Sequence, residues 1–450
     1  MEEQSLRPVQ HRRDFRVRER SPARGKGGGD ASAFIQTFHC SVTCQGRTLE
    51  NNPMSLHRYK SRAPITGSFL MHRSIIVRPF LFLLLAAIPV MTGCGNFFIP
   101  VCQANNSCNN IPTSANYIYV ANQATDAIAG FSLTTGKLAA LSGSPYTLGV
   151  PPSAMATTPS GSLLYVAAST GSVAVYTIAS TGVLTLGNNG AAVAQTFSPT
   201  YMAVDTTGSW LFLVSNTSPQ ILEYQINPST GVLTAPTPPT YTLTGGNPTQ
   251  IYVTPNNQYV YIGLGTGGVD VFTLNSSTGA LSNQQHLNSL NPSLNADNAI
   301  GSDANSKFLF VGETGTGGGI RVFTIGNGGG LTEIKGSPFS SGLGPSAIAM
   351  DPTNAFVYVA SKTAGTIAGY TLGSTGTLTQ LSASPFAAGT SPIALSLDAT
   401  RQYLAVASNG GSPDLQIYSF DAATPGTLDA ASNASTGTDP TVPIALAVAK

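Results

Sequence analysis

The stretch YIYVAN at residues 117–122 decides the fold, because closely similar stretches recur six more times. Each is a short apolar run that ends near small or polar residues, and successive copies begin 46 to 49 residues apart. The other copies are LLYVAAS at 163–169, WLFLVSN at 210–216, YVYIGL at 259–264, FLFVGET at 308–314, FVYVASK at 356–362 and YLAVASN at 403–409. A repeat of this length built on short strands is typical of β-propeller blades. The sequence therefore predicts an all-β fold, a seven-bladed β-propeller over residues 116–450.

Each repeat provides four strands, which we expect to form one antiparallel blade. A second strand with an aromatic residue near its end follows the first, as in IAGFSL at 128–133, and a third follows a glycine turn, as in GKLAAL at 136–141. The fourth is rich in small residues and lies before the next repeat, as in SAMAT at 153–157. Small side chains suit the innermost strand of a blade, where the wedge narrows.

The first repeat has no such inner strand before Tyr117, whereas IALAVA at 444–449 follows the last repeat. We therefore expect the C-terminal strand to join the first blade and close the ring, which covers sheet edges that would otherwise promote aggregation. An open solenoid is the alternative repeat architecture. The absence of capping repeats favours the closed ring.

The repeats resemble the lactonase-like seven-bladed propellers, which include 6-phosphogluconolactonases and the related YVTN-repeat surface propellers. The resemblance covers about residues 116–450 and rests on YVAN at 119–122, GPSAIAMDP at 344–352, GSPF at 336–339 and ASPF at 383–386. It implies the propeller fold and, as one activity, hydrolysis of a lactone.

Candidate catalytic residues are few. Lactone hydrolysis requires an acid or base and a group that stabilises the oxyanion. Glu313 ends FLFVGE on the face where the loops from second to third strands are expected to converge around the channel. The resemblance implies a catalytic carboxylate at such a strand end. A solvated loop carboxylate is the alternative. His286, the one histidine after Cys94, is a second candidate, with an exposed loop histidine as its alternative. Gly344–Ala347 reads GPSA, where lactonase-type members commonly carry Gly-Pro-Arg-His.

The charge pattern excludes some partners and favours others. After Cys94 there are seven basic and fourteen acidic residues, a net charge of −7 without a basic stripe, so we expect no nucleic-acid partner. No Cys/His cluster has metal spacing, so we expect neither metal nor cofactor. The scarcity of ionisable groups favours a monomeric, non-catalytic binding or scaffold module that holds a protein or glycan on its loops. The alternative is a lactone hydrolase resembling 6-phosphogluconolactonase.

A secretory signal is expected at residues 71–93. Arg73 and Arg78 precede the apolar run 80–90, and Met-Thr-Gly-Cys at 91–94 resembles a bacterial lipobox whose Cys94 is lipidated. A transmembrane anchor is the alternative, but the apolar run falls short of the roughly 20 residues that a spanning helix needs. We therefore expect a lipid-anchored protein of the cell envelope.

Two segments flank this signal. Residues 1–70 carry twelve basic and six acidic residues without strand or helix periodicity, and we interpret them as a disordered or mis-annotated extension upstream of the initiator Met71. Residues 94–115 form a linker. In it, Cys102 and Cys108 are expected to pair as a local disulfide in an oxidising compartment, with two unpaired thiols as the alternative.

Overall fold

The computed structural model describes residues 116–450 apart from 195–196, 236–239, 291–294, 316, 343 and 438–442. These residues belong to one compact unit, Pro100–Lys450. The predictions for residues 1–115, including those for Cys94, Cys102 and Cys108, lie outside the described residues. The described part of the chain contains no apolar helix of membrane-spanning length.

Seven antiparallel sheets form the blades, numbered here in chain order, and each contains an inner, a second, a third and an outer strand. The inner strands of blades 1 to 7 are Pro443–Ala449, Pro152–Thr157, Tyr201–Val204, Gln250–Val253, Asp297–Ser302, Pro345–Met350 and Pro392–Leu397. The second strands are Tyr117–Asn122, Leu163–Ala168, Trp210–Ser215, Tyr259–Gly263, Phe308–Glu313, Phe356–Ser361 and Tyr403–Ser408.

The third and outer strands complete each blade. The third strands are Ala127–Thr134, Ser172–Ile178, Ser218–Ile226, Val269–Leu274, Gly319–Ile325, Thr366–Leu372 and Leu415–Phe420. The outer strands are Lys137–Ala140, Leu184–Leu186, Leu233–Thr234, Leu281–Leu287, Leu331–Glu333, Leu378–Gln380 and Leu428–Ala434. Four blades add a short strand that pairs with the far end of the third: Tyr146–Thr147, Val193–Ala194, Thr240–Thr242 and Phe386–Ala387. Within the described residues, two 3-10 turns occupy Asn188–Gly190 and Asn327–Gly329.

The ring is closed by the strand from the C-terminal region, as the sequence predicts. Pro443–Ala449 pairs antiparallel with Tyr117–Asn122, with Val120 opposite Leu446. Each inner strand contacts those of the two neighbouring blades, and the last of these contacts joins Pro392–Leu397 to Pro443–Ala449. The prediction of a closed seven-bladed ring is therefore confirmed.

The core is divided among the seven seams between adjacent blades, and one buried cluster fills each seam. In blade 3, Phe212 and Val214 pack toward blade 4, whereas Leu211 and Leu213 pack toward blade 2. Side chains of a strand point alternately to opposite faces, so a strand covered on both faces must be apolar throughout. This explains why the repeated stretches do not alternate with polar residues.

Aspartates organise the turns from inner to second strand on the face that we call lower. In four blades, Oδ1 of a buried aspartate accepts the backbone N–H groups four and five residues further on, namely in Asp205, Asp303, Asp351 and Asp398. An asparagine of the next blade donates to three of them: Asn257 to Asp205 at 2.9 Å, Asn354 to Asp303 at 3.4 Å and Asn116 to Asp398 at 2.8 Å. Blade 7 is thereby also joined to blade 1.

Tyrosine hydroxyls form a second link across the seams. In four blades the third residue of the second strand is a tyrosine. Its hydroxyl donates to a glycine carbonyl of the next blade, in the turn that leads to the outer strand of that blade. The pairs are Tyr119–Gly182 at 2.6 Å, Tyr165–Gly231 at 2.9 Å, Tyr261–Gly329 at 3.1 Å and Tyr358–Gly426 at 3.0 Å. We call this hydrogen bond the tyrosine clasp.

Blade 3 lacks the tyrosine clasp and has a buried carboxyl group in the same seam. Its third residue is Phe212, which has no hydroxyl, and the cross-strand partner of Phe212 is Glu223. A Cβ atom placed on Gly279, the turn glycine of blade 4, would lie 2.1 Å from Glu223 Oε1. The Glu223 carboxyl therefore lies against the turn glycine of the next blade, where blades 2 and 4 place Val175 and Val271 against theirs.

Candidate functional site

A cavity of about 740 Å³ opens at the centre of the ring on the upper face, which carries the loops from second to third strands. The first residues of the inner strands line it, together with residues that directly follow the second strands. Loops that converge on a channel held by a rigid ring are a common setting for ligand sites. We therefore take this cavity, which we call the mouth, as the candidate functional site.

Residues at one equivalent position of five blades contribute polar groups to the mouth. Each directly follows a second strand: Gln123, Asn216, Thr314, Lys362 and Asn409. Among the described lining residues, Lys362 is the one with a charged side chain, and it is exposed. The mouth is therefore polar but almost uncharged.

Some lining groups are used by the fold and others are free for a ligand. Ser153 and Ser346 donate their hydroxyls to the carbonyls of Pro199 and Pro392 in the next blade, at 2.5 and 2.7 Å. Gln250 exchanges hydrogen bonds with the backbone of Ile300. In contrast, four amide side chains have no hydrogen-bond partner among the described residues: Gln123, Asn216, Asn298 and Asn409.

Tyr201 gives the mouth an aromatic surface. It begins the inner strand of blade 3, lines the cavity and is 40% exposed, one of three large apolar side chains exposed to that extent among the described residues. An exposed aromatic ring beside free amide groups can pack on the apolar face of a polar ligand.

Glu313 lies beneath the mouth rather than in its lining. It ends the second strand of blade 5 and is 1% exposed, while the next residue, Thr314, lines the cavity. Glu313 Oε1 accepts the backbone N–H of Leu290 at 2.6 Å, and Oε2 has no partner within the described residues. Burial raises the pKa of Glu313, against the lowering effects of the Leu290 N–H, the Arg321 charge and Asn295. The alternative of a solvated loop carboxylate is wrong, because the side chain is buried.

Arg321 forms an ion pair with Glu333, the second glutamate of blade 5. Its Nε and Nη2 donate to the two oxygens of Glu333 at 3.2 and 2.8 Å, and Nη1 donates to the Asn288 carbonyl. Burial alone would raise the pKa of Glu333, but hydrogen bonds from Arg321 and Ser337 lower it overall. A bidentate Arg–carboxylate pair fixes both partners, so Arg321 is a structural residue here.

His286 lies on the outer strand of blade 4, so the alternative that places it in a loop is wrong. Its Nδ1 lies 2.7 Å from Oδ1 of the fully buried Asp270. Asp270 also accepts the backbone N–H and hydroxyl of Thr244 and the amide of Gln284. His286 is absent from the mouth lining, and the structure does not bring it together with Glu313 in one cavity. The geometry describes a histidine positioned by Asp270, and Asp270 also ties blade 4 to the preceding loop through Thr244.

A second cavity, of about 470 Å³, lies at the lower face around Asp398, Arg401 and Lys450. Its carboxylate is already occupied, because Asp398 accepts backbone N–H groups of its own turn and the Asn116 amide. In the described part of the chain, no three His, Cys, Asp or Glu side chains come together as metal ligands. The free polar groups therefore favour the upper face as the site.

Gly344–Ala347, noted from the sequence for its missing Arg-His pair, lines the mouth, whereas the polar residues that follow the second strands were not predicted as site residues. The positions were visible, because each directly follows a recurring second strand, as Asn409 follows YLAVAS. The signal is a polar residue at a fixed place in a repeat, which ordinary turn formation also produces.

Fold and site together define a closed seven-bladed propeller with a polar, almost neutral mouth. The seven-bladed β-propeller Lactonase family matches the chain in four overlapping segments, residues 100–197, 175–345, 265–385 and 308–442. The chain belongs to this family. No curated protein sequence matches it.

Several solved structures share the fold at low identity. A candidate 6-phosphogluconolactonase from Bacteroides fragilis is 18% identical, with a TM-score of 0.60 over 75% of this chain and 99% of that chain. A candidate 6-phosphogluconolactonase from Bacteroides uniformis is 16% identical, with a TM-score of 0.61 over 74% and 99%. The periplasmic gluconolactonase of Pseudomonas aeruginosa is 15% identical, with a TM-score of 0.59 over 75% and 99%. At these identities the likeness concerns the fold.

Proposed function

We propose that the chain hydrolyses a lactone bound at the mouth. The observation that carries this proposal is the position of Lys362, the cation among the described lining residues, beside free amide groups. Membership of the Lactonase family supports the reaction class, and neighbours that include a periplasmic gluconolactonase are consistent with it.

In this proposal the residues of the mouth have two roles, to stabilise the oxyanion and to orient the substrate. Water adds to the lactone carbonyl, the carbonyl oxygen becomes an oxyanion, and the ring C–O bond then breaks to give a hydroxy acid. An ammonium group aimed at the oxyanion stabilises the charge that develops in the transition state. Lys362 would take this role, whereas the amides of Asn216 and Asn409 would orient the substrate by hydrogen bonds.

Proton release by the purified chain tests the proposal, with a panel of five- and six-membered sugar lactones as substrates. We expect turnover above the spontaneous rate, and an at least tenfold lower kcat/KM in Lys362→Ala. Lys335→Ala is the matched control, because Lys335 is an exposed lysine outside the mouth lining, and it should retain full activity. Absence of turnover for the whole panel overturns the proposal, as does a Lys362→Ala variant with undiminished activity.

A second candidate function is binding without catalysis, in which the propeller holds a protein or glycan as a scaffold. The specific observation in its favour is that the described lining residues include no carboxylate or imidazole. Saturable binding of a sugar ligand without turnover would favour this function over hydrolysis.

We further propose that the protein acts in the cell envelope, anchored by a lipid on Cys94. The segment Met71–Cys94 supports this location through its basic start, its apolar run and its lipobox-like end.

A further inference from the structure

The charge at the mouth limits which lactones it can accept. Its described lining offers one ammonium group, on Lys362, and neither an arginine nor a histidine. Sites that recognise phosphate commonly present bidentate arginines, several cations or the N-terminus of a helix. The described residues contain two short 3-10 turns and no α-helix, and neither turn lines the mouth.

The free hydrogen-bonding groups of the mouth suit hydroxyl groups instead. The amides of Gln123, Asn216, Asn298 and Asn409 each carry an N–H₂ donor and a carbonyl acceptor. A sugar hydroxyl also donates and accepts, so each amide can satisfy one or two hydroxyls. A phosphate accepts only, so it would leave the amide oxygens unpaired or repelled.

Tyr201 adds an apolar surface to this set of amides. Tyr201 is exposed on blade 3, the blade that also contributes Asn216 to the mouth. The C–H face of a sugar ring can pack against an aromatic ring while the hydroxyls at its edge reach the amides. A charged substituent gains nothing from this contact and loses hydration on entering the cavity.

We infer that the mouth selects uncharged polyhydroxylated lactones and discriminates against lactones that carry a phosphate group. This inference rests on the proposed function, since it names the substrate class of the same site. It also identifies Asn409 as a position where one added cation should alter the selectivity, because blade 7 lies next to the blade that carries Lys362.

Matched substrates test the inference: an aldono-1,5-lactone and the same lactone with a phosphate on the terminal hydroxyl. For the unmodified chain at 0.15 M salt, we expect kcat/KM at least tenfold higher for the uncharged lactone. In Asn409→Arg we expect this ratio to fall at least tenfold. The control is Asn433→Arg, which adds the same charge to the exposed outer strand of the same blade, where the charge is screened from the mouth.

A phosphorylated lactone that is hydrolysed as well as the uncharged one overturns the inference, as does an equal response of the two arginine variants. If neither lactone is hydrolysed, the proposed function fails and selectivity is then measured by binding. Calorimetry with the sugar alcohol and its phosphate should show tighter binding of the uncharged ligand. Equal or tighter binding of the phosphate, or no binding of either, overturns the inference independently of catalysis.

Discussion

Asn122 and Thr436, which are 314 residues apart in the sequence, are hydrogen-bonded to each other where the ring closes. Asn122 Nδ2 donates to the Thr436 carbonyl at 3.0 Å, and Thr436 Oγ1 lies 3.1 Å from Asn122 Oδ1. The same threonine donates its N–H to Asp414 Oδ1, and its hydroxyl lies 2.7 Å from Asp414 Oδ2. All three residues are buried. The seam between blades 7 and 1 therefore contains a polar latch at the upper face, in addition to the paired strands.

Thr436→Val should weaken this latch. It removes the hydroxyl but keeps the shape, so the hydrogen bond that the hydroxyl donates to Asp414 Oδ2 or to Asn122 Oδ1 is lost inside the seam, at a cost of about 1–3 kcal/mol. The free energy of unfolding in urea measures the loss. Thr379→Val is the control, since Thr379 is exposed on an outer strand and should change stability by less than about 0.5 kcal/mol. Equal values for the two variants would show that the latch contributes nothing.

Glu223→Gln should make the stability of the protein less sensitive to a rise in pH between 4.5 and about 7. Burial raises the pKa of Glu223 from 4.5 to about 7, against a smaller lowering effect of the Tyr241 hydroxyl. Folding thus favours the neutral acid, and stability is lost as pH rises from 4.5 to about 7. The variant carries no ionisable group there, so its stability relative to wild type should rise by up to about 3 kcal/mol across this window.

Urea unfolding at pH 4.5, 6 and 8 measures this difference. Glu333→Gln serves as the contrast, because the pKa of Glu333 is lowered and its contribution is lost as pH falls. Parallel pH profiles for wild type and Glu223→Gln would contradict an elevated pKa at this seam.

The double variant Phe212→Tyr with Glu223→Val should rebuild the regular tyrosine clasp in blade 3. In blades 2 and 4 the clasp tyrosines, Tyr165 and Tyr261, face valine across the third strand. We expect the double variant to be as stable as Glu223→Gln at pH 8. Phe212→Tyr alone should be less stable than the double variant, because its new hydroxyl lies against the Glu223 carboxyl. Thermal unfolding of all three variants measures these differences. A double variant no more stable than Phe212→Tyr would contradict the prediction that tyrosine and valine can rebuild the clasp in blade 3.

Asp270→Asn should destabilise blade 4 more than any change at His286. The carboxylate accepts hydrogen bonds from Thr244, Gln284 and His286, and an amide would turn a donor toward some of these donors. We expect the free energy of unfolding to fall by about 2–4 kcal/mol in Asp270→Asn. The fall should be less than about 1 kcal/mol in His286→Gln, because the His286 side chain is partly exposed. Denaturant midpoints give both values. A larger loss in His286→Gln would assign the central role to the histidine.

Cys94→Ser should abolish membrane attachment without affecting the propeller. If Cys94 carries the lipid, the wild-type chain expressed in a bacterial host should incorporate labelled palmitate and sediment with the membranes. The serine variant should do neither. Cys102→Ser is the control, because that cysteine lies in the linker outside the lipobox-like segment and should retain both properties. Labelling of Cys94→Ser would contradict the assignment.

The architecture could be predicted because it follows from a pattern that repeats. The copies of YIYVAN set the blade number, and the Ala-rich stretch 444–449 indicated how the ring closes. Strand positions in a propeller are set by local hydrophobic pattern and turn glycines, both of which are visible in a single sequence. The absence of the clasp tyrosine is also readable, because the third residue of the repeated stretch is Phe212 in blade 3, Phe310 in blade 5 and Ala405 in blade 7.

The environment of the site residues was harder to predict. Glu313 was placed correctly at a strand end on the loop face, but its burial depends on Leu290, which is 23 residues away in the sequence. His286 was expected in a loop or in a catalytic role, whereas its register opposite Asp270 on an outer strand is a property of the folded blade. Contacts between loops are set by tertiary packing, which local pattern does not encode.

The pairing of Tyr117–Asn122 with Pro443–Ala449 has a consequence for biogenesis. The ribosome delivers the first of these strands several hundred residues before its partner, so the edge of blade 1 stays open during synthesis. Blades 2 to 7 can form in order from local hairpins, but the final closure is the longest-range contact and is expected to be slow. A chain that crosses a membrane as an unfolded thread would acquire its finished ring only on the far side, once translocation has ended.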